Sequence, residues 1–312
     1  MAIADERADL PLQVMSHFFL GLAYAYACRF RESIELLSWN IDRLQGEAIY
    51  ERFGEPGLPA VFSRSYLVRA LAELGQFSEG LARGDEAVRL SESTDLPFSL
   101  ASSLEGLGYV RLRRGEIPQA IMLLERGHQI CEQRQLHLSY YMVQAYLGYA
   151  YALAGRDAEA MPLLAASAAI DVGLHPALRV TMQGEAHLLA GRLDLAQQCV
   201  ERALVLAAVG EERGSRAWTL RLAAEVALAQ GQDGAAPAAA HYQEALALAE
   251  EMEMRPLQAH CHLGLGKRYR QIGRDDEARA ELSTAVTMLR KMGMAHWVSQ
   301  AESELAQADA PA

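Results

Sequence analysis

The sequence predicts an all-α protein built from repeated helix hairpins, and three observations support this fold class. Alanine and leucine dominate a composition that is 51% hydrophobic and 22% charged, which favours helices over strands. Glycines recur at intervals near forty residues, and small residues recur at fixed distances on either side of them. At 312 residues the chain is about twice the size of one compact domain and can bury a sizeable core.

A turn signal marks each hairpin. In its clearest form a Gly is followed five positions later by a small residue, as in Gly155 and Ala160. The turns stand at positions 28, 75, 115, 155, 191, 231 and 273, at intervals of 47, 40, 40, 36, 40 and 42 residues. The first copy is degenerate, with Cys28 at the turn. Because Gly supplies the left-handed cap that ends a helix, this spacing predicts seven hairpins.

Two further sets of small residues follow the same spacing. The first set stands seven positions before each turn. The second stands seven positions after the small residue that begins the second helix, such as Ala160. The first set is Gly21, Gly108, Gly148, Gly184, Ala224 and Gly266, with Val68 as the exception. The second set is Ala87, Gly127, Ser167, Ala203, Ala245 and Ala285, with Asn40 in the first copy. Two helices approach closely only where their side chains are small, so these slots predict tight helix contacts.

Prolines mark the start of the first helix in five copies, eight to eleven residues before the first small residue. They are Pro11, Pro59, Pro97, Pro176 and Pro256. Proline is tolerated in the first turn of a helix because its missing N–H has no partner there. We therefore assign residues 1–10 to an N-terminal tail, 11–294 to the repeat array, and 295–312 to a C-terminal cap helix and tail. Residues 46–60 interrupt the regular spacing as a loop or an extended helix end, and residues 232–237 lengthen the turn of the sixth copy.

The order of small, aromatic and turn residues resembles the tetratricopeptide (TPR) repeat. The last copy shows it best, with Leu265-Gly266, Tyr269, Gly273, Ala278, Leu282 and Ala285. The period is nearer 40 than the usual 34, and the proline that normally closes the second helix is missing; both differences fit longer helices. The resemblance implies a right-handed superhelical α-solenoid of about seven hairpins, in which the first helix of each pair lines a concave groove.

More specifically, the chain resembles the C-terminal TPR region of bacterial adenylate/guanylate cyclase–ATPase signalling proteins. The stretches that carry this resemblance are residues 51–59, 148–156 and 255–266. A phosphate-binding GxxxxGK[ST] motif is missing from the sequence, so the resemblance implies the sensor or scaffold part alone. The first helix, with Phe18 and Phe19, is apolar nearly all round. Four alternatives could account for this apolar helix surface: residues 1–10 cover it, a partner chain covers it, upstream repeats are missing, or the protein associates with itself there.

The sequence shows no motif for catalysis, so we expect no enzyme activity and no cofactor. His260-Cys261-His262 superficially resembles a metal motif. Residues two apart on a helix point to different faces, however, and zinc ligands on one helix stand three or four apart. We therefore expect ordinary helix residues there and no metal site.

Charge and cysteine usage narrow the possible partners. The formal net charge of -11 repels phosphate backbones, so we expect no nucleic-acid partner. The four cysteines form no CxxC pair, which is typical of reduced thiols in a cytoplasmic protein. Neither a secretory signal nor an uninterrupted apolar stretch of about 18 residues is evident, so no membrane association is expected.

These observations predict a scaffold or sensor module that binds a protein or peptide in its groove, in bacterial signalling. The alternative is a regulatory C-terminal fragment of a nucleotide-cyclase/ATPase protein that senses a small molecule. The resemblance places groove residues at six and three positions before the small residue and at one and four positions after it. We expect partner contacts from Phe62, Ser65, Arg69, Glu105, Tyr109, Met142, Tyr149, Trp218, Arg221, Glu225, His260, Lys267 and Arg270. The alternative for each aromatic residue in this set is that it packs between two repeats and does not contact a partner.

Overall fold

The structure is a computed structural model that describes residues 9–171, 173–231 and 235–308. These residues form fifteen α-helices and one short 3-10 helix at Gly46–Tyr50, without any strand. The helices are α1 (Leu10–Tyr26), α2 (Phe30–Arg43), α3 (Pro59–Glu73), α4 (Phe77–Glu92), α5 (Pro97–Arg114), α6 (Ile117–Arg134), α7 (His137–Leu153), α8 (Asp157–Ala168), α9 (Pro176–Leu189), α10 (Leu193–Val209), α11 (Arg213–Ala229), α12 (Ala235–Glu251), α13 (Arg255–Gln271), α14 (Asp275–Met292) and α15 (Ala295–Ala308).

The helices form seven consecutive hairpins, α1/α2 to α13/α14, followed by α15, as the sequence predicts. All seven turn residues adopt the left-handed conformation, with φ from 58° at Cys28 to 90° at Gly115. Each of the five helix-starting prolines lies in the first turn of its helix. Residues 1–8 of the predicted tail, 232–234 of the longer turn and 309–312 lie outside the described residues.

The small-residue slots are the points of closest approach between the paired helices. A Cβ at Gly148 would lie 2.7 Å from Cγ of Leu164 and 3.1 Å from the carbonyl oxygen of Ala160. Asn40, the slot residue of the first copy, is fully buried and donates through Nδ2 to the Val14 carbonyl and to Ser63 Oγ. These two hydrogen bonds satisfy the Asn40 amide NH₂ in the interior of the degenerate first copy.

The array coils until its beginning meets its end. Arg31 of the first copy forms an ion pair with Glu253, which precedes α13, at 2.5 Å and 222 residues away in sequence. Nε of Arg114 donates to the Gly293 carbonyl at 3.2 Å, across 179 residues. Copies one to three therefore pack against copies six and seven and α15 along a seam. The two ends of the array meet at this seam, and we call the space that the coiled array surrounds the lumen.

The first helix keeps exposed apolar side chains, with Leu12 43% and Phe19 55% exposed. Self-association through this face stays a prediction. None of the described helices combines the length and the hydropathy needed to cross a lipid bilayer.

We expect Gly115→Ala to loosen the seam, because a Cβ there would lie 2.8 Å from Cβ of His296 and 3.1 Å from Nε1 of Trp297 on α15. Gly155→Ala is the matched control. Its φ of 72° is also left-handed, but no atom lies within 4 Å of the new Cβ. The control should lose about 1–2 kcal/mol from the left-handed backbone alone. Gly115→Ala should lose more and should increase acrylamide quenching of Trp297 fluorescence. Equal urea stabilities and equal quenching would contradict the seam.

Candidate ligand-binding lumen

The lumen contains two cavities that share Arg113 and Trp218. The smaller has a volume of about 70 Å³ and the larger about 290 Å³. The smaller is lined by residues that include Leu22, Tyr26, Arg69, Glu73, Tyr109, Arg113, His175, Glu212 and Trp218. The larger is lined by residues that include Arg113, Tyr149, Glu185, Leu189, Trp218, Arg221, Glu225, His260, Lys267, His296 and Trp297. The first helices of all seven copies contribute to one cavity or the other.

Helical periodicity explains which residues reach the lumen. The positions one and five after the small residue are four apart and therefore share one face of the first helix. In the third and fourth copies this face carries Tyr109 with Arg113, and Tyr149 with Leu153. The same face in every copy points towards the superhelix axis, so the repeat brings residues from distant parts of the chain together.

A network of hydrogen bonds around Glu73 lies between the two cavities. Nε of Arg113 donates to the hydroxyl of Tyr109 at 2.9 Å, and that hydroxyl donates to Oε1 of Glu73. Nε1 of Trp218 lies 3.4 Å from the other oxygen of the same carboxylate. The Glu73 carboxylate therefore joins α3, α5 and α11 in a buried polar network, where removing any one member leaves its partners unsatisfied.

A second buried pair lies beside the smaller cavity. Arg69 donates to Oε1 of Glu105 at 3.3 Å and to the Tyr146 hydroxyl at 3.0 Å. Burial raises the pKa of Glu105, and the positive charge of Arg69 offsets part of that rise. Arg69 thus neutralises a carboxylate that the interior would otherwise disfavour.

Trp218 lies between two guanidinium groups in the larger cavity. Its ring centroid is 3.9 Å from Cζ of Arg113 and 5.6 Å from Cζ of Arg221. Arg221 forms ion pairs with Glu185 at 2.5 Å and with Glu225 at 3.6 Å. The electron-rich face of an indole favours a nearby cation, so Trp218 helps to hold both arginines in place.

His260 stands against the ring of Trp218 at 5.9 Å and that of Trp297 at 4.8 Å between ring centroids. Burial lowers its pKa well below the usual range, and the positive charges of Arg221 and Arg113 lower it further. The imidazole is therefore neutral at neutral pH.

The three residues of the apparent metal motif point to different surroundings. His260 lines the larger cavity, Cys261 is fully buried in the core, and Nδ1 of His262 lies 2.6 Å from Glu281 on α14. Among the described residues, no three His, Cys, Asp or Glu side chains form a group suited to a metal ion.

Most of the predicted groove residues line the lumen. The larger cavity includes Tyr149, Trp218, Arg221, Glu225, His260 and Lys267. The smaller includes Arg69, Tyr109 and Trp218, with Glu105 held against Arg69. They line the space that the coiled array surrounds, because the two ends of the array meet at the seam.

Glu105 and four other predicted residues line neither cavity, which corrects the prediction for these five. Phe62 is 5% exposed and packs against Phe18 and Phe98, and Met142 is 1% exposed in the core. Ser65 donates to the Val61 carbonyl within its own helix. Arg270 donates to Glu304 and Gln307 of α15.

Several lining residues escaped the sequence reasoning. Glu185 and Leu188 stand one and four positions after Gly184, so applying the same offsets to the fifth copy would have found them. Glu73 and Arg113 stand five positions after Val68 and Gly108, on the face already identified. No sequence signal places α15 at the lumen.

No protein-family model matches the chain, and no curated protein is similar to it in sequence. Solved structures do match. The Rap conjugation gene regulator of plasmid pLS20, in complex with the Phr* peptide, has a TM-score of 0.65 at 12% identity, over 95% of this chain and 76% of that one. Aspartyl phosphate phosphatase F from Bacillus subtilis has a TM-score of 0.61 at 13% identity, over 94% and 75%. Cut9 in the APC/C complex Cut9–Hcn1 has a TM-score of 0.58 at 16% identity, over 90% of this chain and 53% of that one.

At these identities the likeness concerns the fold alone, and this chain spans about half the length of the Cut9 chain. The fold is nevertheless shared along nearly the whole of this chain. The protein therefore has the all-α, TPR-like solenoid fold.

Proposed function

We propose that the protein is a binding module that takes a short segment of a partner protein, or a peptide, into its lumen. The observation that carries this proposal is the lining of the larger cavity, to which five first helices and α15 all contribute. Rigid aromatic rings supply contact area there, and arginines supply directional hydrogen bonds. One structure of similar fold, the Rap regulator, was solved with a peptide.

We further propose that the module acts by binding rather than by catalysis. Burial raises the pKa of the Cys28 thiol to about 11, so this lumen thiol is protonated and a poor nucleophile at neutral pH. Arg69 and Arg221 are each held by buried carboxylates. The acidic net charge of -11 favours protein over nucleic acid as the partner.

A second candidate is the sensing of a small molecule as the regulatory part of a bacterial nucleotide-cyclase or ATPase signalling protein. The volume of the larger cavity, about 290 Å³, favours it, since pockets for small ligands begin near 300 Å³.

The proposal predicts that Leu189→Arg blocks binding. Leu189 lines the larger cavity yet is 56% exposed, so the substitution adds a bulky charge at the mouth without disturbing the core. Val205→Arg is the matched control, because Val205 is 64% exposed on α10 and lines neither cavity. Peptides would be selected from a random display library on the unaltered protein and their Kd measured by fluorescence polarisation.

We expect Leu189→Arg to weaken the selected peptides by about tenfold or more and Val205→Arg by less than about twofold. Equal affinities for the two variants, or a loss confined to Val205→Arg, would place the binding surface outside the lumen. Binding of small molecules in place of peptides would favour the second candidate.

A further inference from the structure

The seam includes polar contacts at the protein surface that water can replace. The side chains of Arg31 and Glu253, which pair across the seam, are 59% and 43% exposed. The hydrogen bond from Arg114 to the Gly293 carbonyl is exposed as well. Exposed ion pairs contribute little to stability, because water and salt solvate the separated partners almost equally well. These two contacts therefore resist opening of the seam only weakly.

The contacts between successive hairpins are of a different kind. Leu104 on α5 and Val143 on α7 are fully buried on either side of Gly127 on α6. Each repeat of a solenoid depends chiefly on its immediate neighbours, so parting the two ends of the array leaves such apolar interfaces intact. The seam can therefore open while the hairpins stay folded.

Both cavities take their linings from the two sides of the seam. The smaller cavity is lined by Tyr26 and Cys28 from the first copy. His175, Gly214 and Met254, from the fifth to seventh copies, line it as well. The ring centroids of Tyr26 and His175 are only 4.5 Å apart. The larger cavity is lined by both the third copy and α15, which meet at the seam. A ligand that fills either cavity therefore contacts both ends of the array.

We propose that the seam is a clasp: the array opens there with its hairpins intact, and a ligand in the lumen holds the two ends together. A ligand that contacts both ends binds the closed array more tightly than the open one, so it shifts the equilibrium towards closure. By the same linkage, a change that opens the seam weakens the ligand even when it lies outside both cavities. The coupling to a ligand rests on the proposed function, whereas the opening of the seam does not.

Cys28 provides one half of a lock for the clasp. A Cβ on Gly214, in the first turn of α11, would lie 2.8 Å from Sγ of Cys28. In a disulfide each Cβ lies about 3 Å from the partner sulfur. Gly214→Cys should therefore form a disulfide with Cys28 in the closed array, and dithiothreitol should release it. Mass spectrometry of the linked peptides distinguishes this bond from one to Cys199, which is also partly exposed.

Small-angle X-ray scattering measures the opening in Arg31→Glu/Arg114→Glu, which reverses the charge at both exposed contacts. We expect the radius of gyration to exceed that of the unaltered protein by about 10% or more, at unchanged helix content by circular dichroism. Adding Gly214→Cys and oxidising it should restore the compact value. Adding Glu253→Arg instead, which reverses the other member of the ion pair, should restore much of it.

Arg126→Glu/Arg216→Glu is the matched control for the opening. Arg126 and Arg216 form similarly exposed pairs with Glu92 and Glu244, but both pairs lie within or between neighbouring hairpins. Reversing their charges should leave the radius of gyration unchanged, because neither pair crosses the seam.

Peptides selected on the unaltered protein measure the coupling to a ligand. We expect Arg31→Glu/Arg114→Glu to weaken them by about threefold or more, although neither residue lines a cavity. Oxidised Gly214→Cys in that background should recover the affinity, and dithiothreitol should remove the recovery. The control Arg126→Glu/Arg216→Glu should bind the peptides like the unaltered protein.

An unchanged radius of gyration in Arg31→Glu/Arg114→Glu would overturn the clasp, and so would an expansion accompanied by loss of helix content. Failure of Gly214→Cys to link to Cys28 in a folded protein would contradict the seam itself. Expansion with unchanged peptide affinity would overturn the coupling. If no peptide binds the unaltered protein, the proposed function fails, and the scattering measurements still decide whether the clasp opens.

Discussion

Arg221→Met should lower the free energy of unfolding by about 3–5 kcal/mol, because it leaves Glu185 and Glu225 without their cation. The side chain of Glu185 is only 10% exposed, so solvent compensates little for the lost partner. Hydrogen exchange in α9 and α11 and urea unfolding followed by circular dichroism would measure the loss.

Arg216→Met is the matched control for this change. Arg216 stands on the same helix and pairs with Glu244 at the same 2.5 Å, but the two side chains are 51% and 46% exposed. An exposed pair contributes about 0–1 kcal/mol, so this variant should unfold close to the unaltered protein. The double variant Arg221→Met/Glu185→Met should recover part of the loss, since it removes a buried unpaired charge. Similar losses for both single variants would show that burial of the pair is unimportant.

Gly148→Leu and Ala160→Leu should each destabilise the fourth hairpin by about 1–3 kcal/mol through overpacking. Even the Cβ of an alanine at Gly148 would meet Leu164 at 2.7 Å, and Ala160 is fully buried where α7 and α8 touch. Urea unfolding measures both changes.

Ala165→Leu provides the control for the overpacking prediction. It makes the same substitution on α8 at an exposed position, so it should change the free energy of unfolding by less than about 0.5 kcal/mol. If Gly148→Leu and Ala160→Leu melt like this control, the assignment of the small-residue slots is wrong.

The repeat register was accessible from sequence because each of its signals has a local cause. A left-handed turn at Gly115, a proline in the first turn at Pro97 and a small residue at Gly108 are each required by backbone geometry or by the distance between two adjacent helices. These signals together predict the seven hairpins that the structure shows.

The candidate site was only partly accessible from sequence. The repeat register places Tyr109 and Tyr149 at equivalent positions, and both line a cavity. The same position in the fifth copy is Glu185, which also lines a cavity. The register cannot distinguish Phe62 from Trp218, which occupy the same position in their copies. Phe62 is covered by Phe18 from α1, whereas Trp218 faces the larger cavity across from Arg113.

The sequence by itself determined the all-α class and the seven hairpins with their turns. These features depend on interactions between residues within about forty positions of one another, which leave a periodic pattern in the chain. Only the tertiary structure decided that the concave side is closed into a lumen with two cavities. Closure depends on contacts such as Arg31–Glu253 and Arg114–Gly293, across 222 and 179 residues. Small rotations between successive hairpins accumulate along the array to set those contacts, and no single repeat carries a sequence signal for their sum.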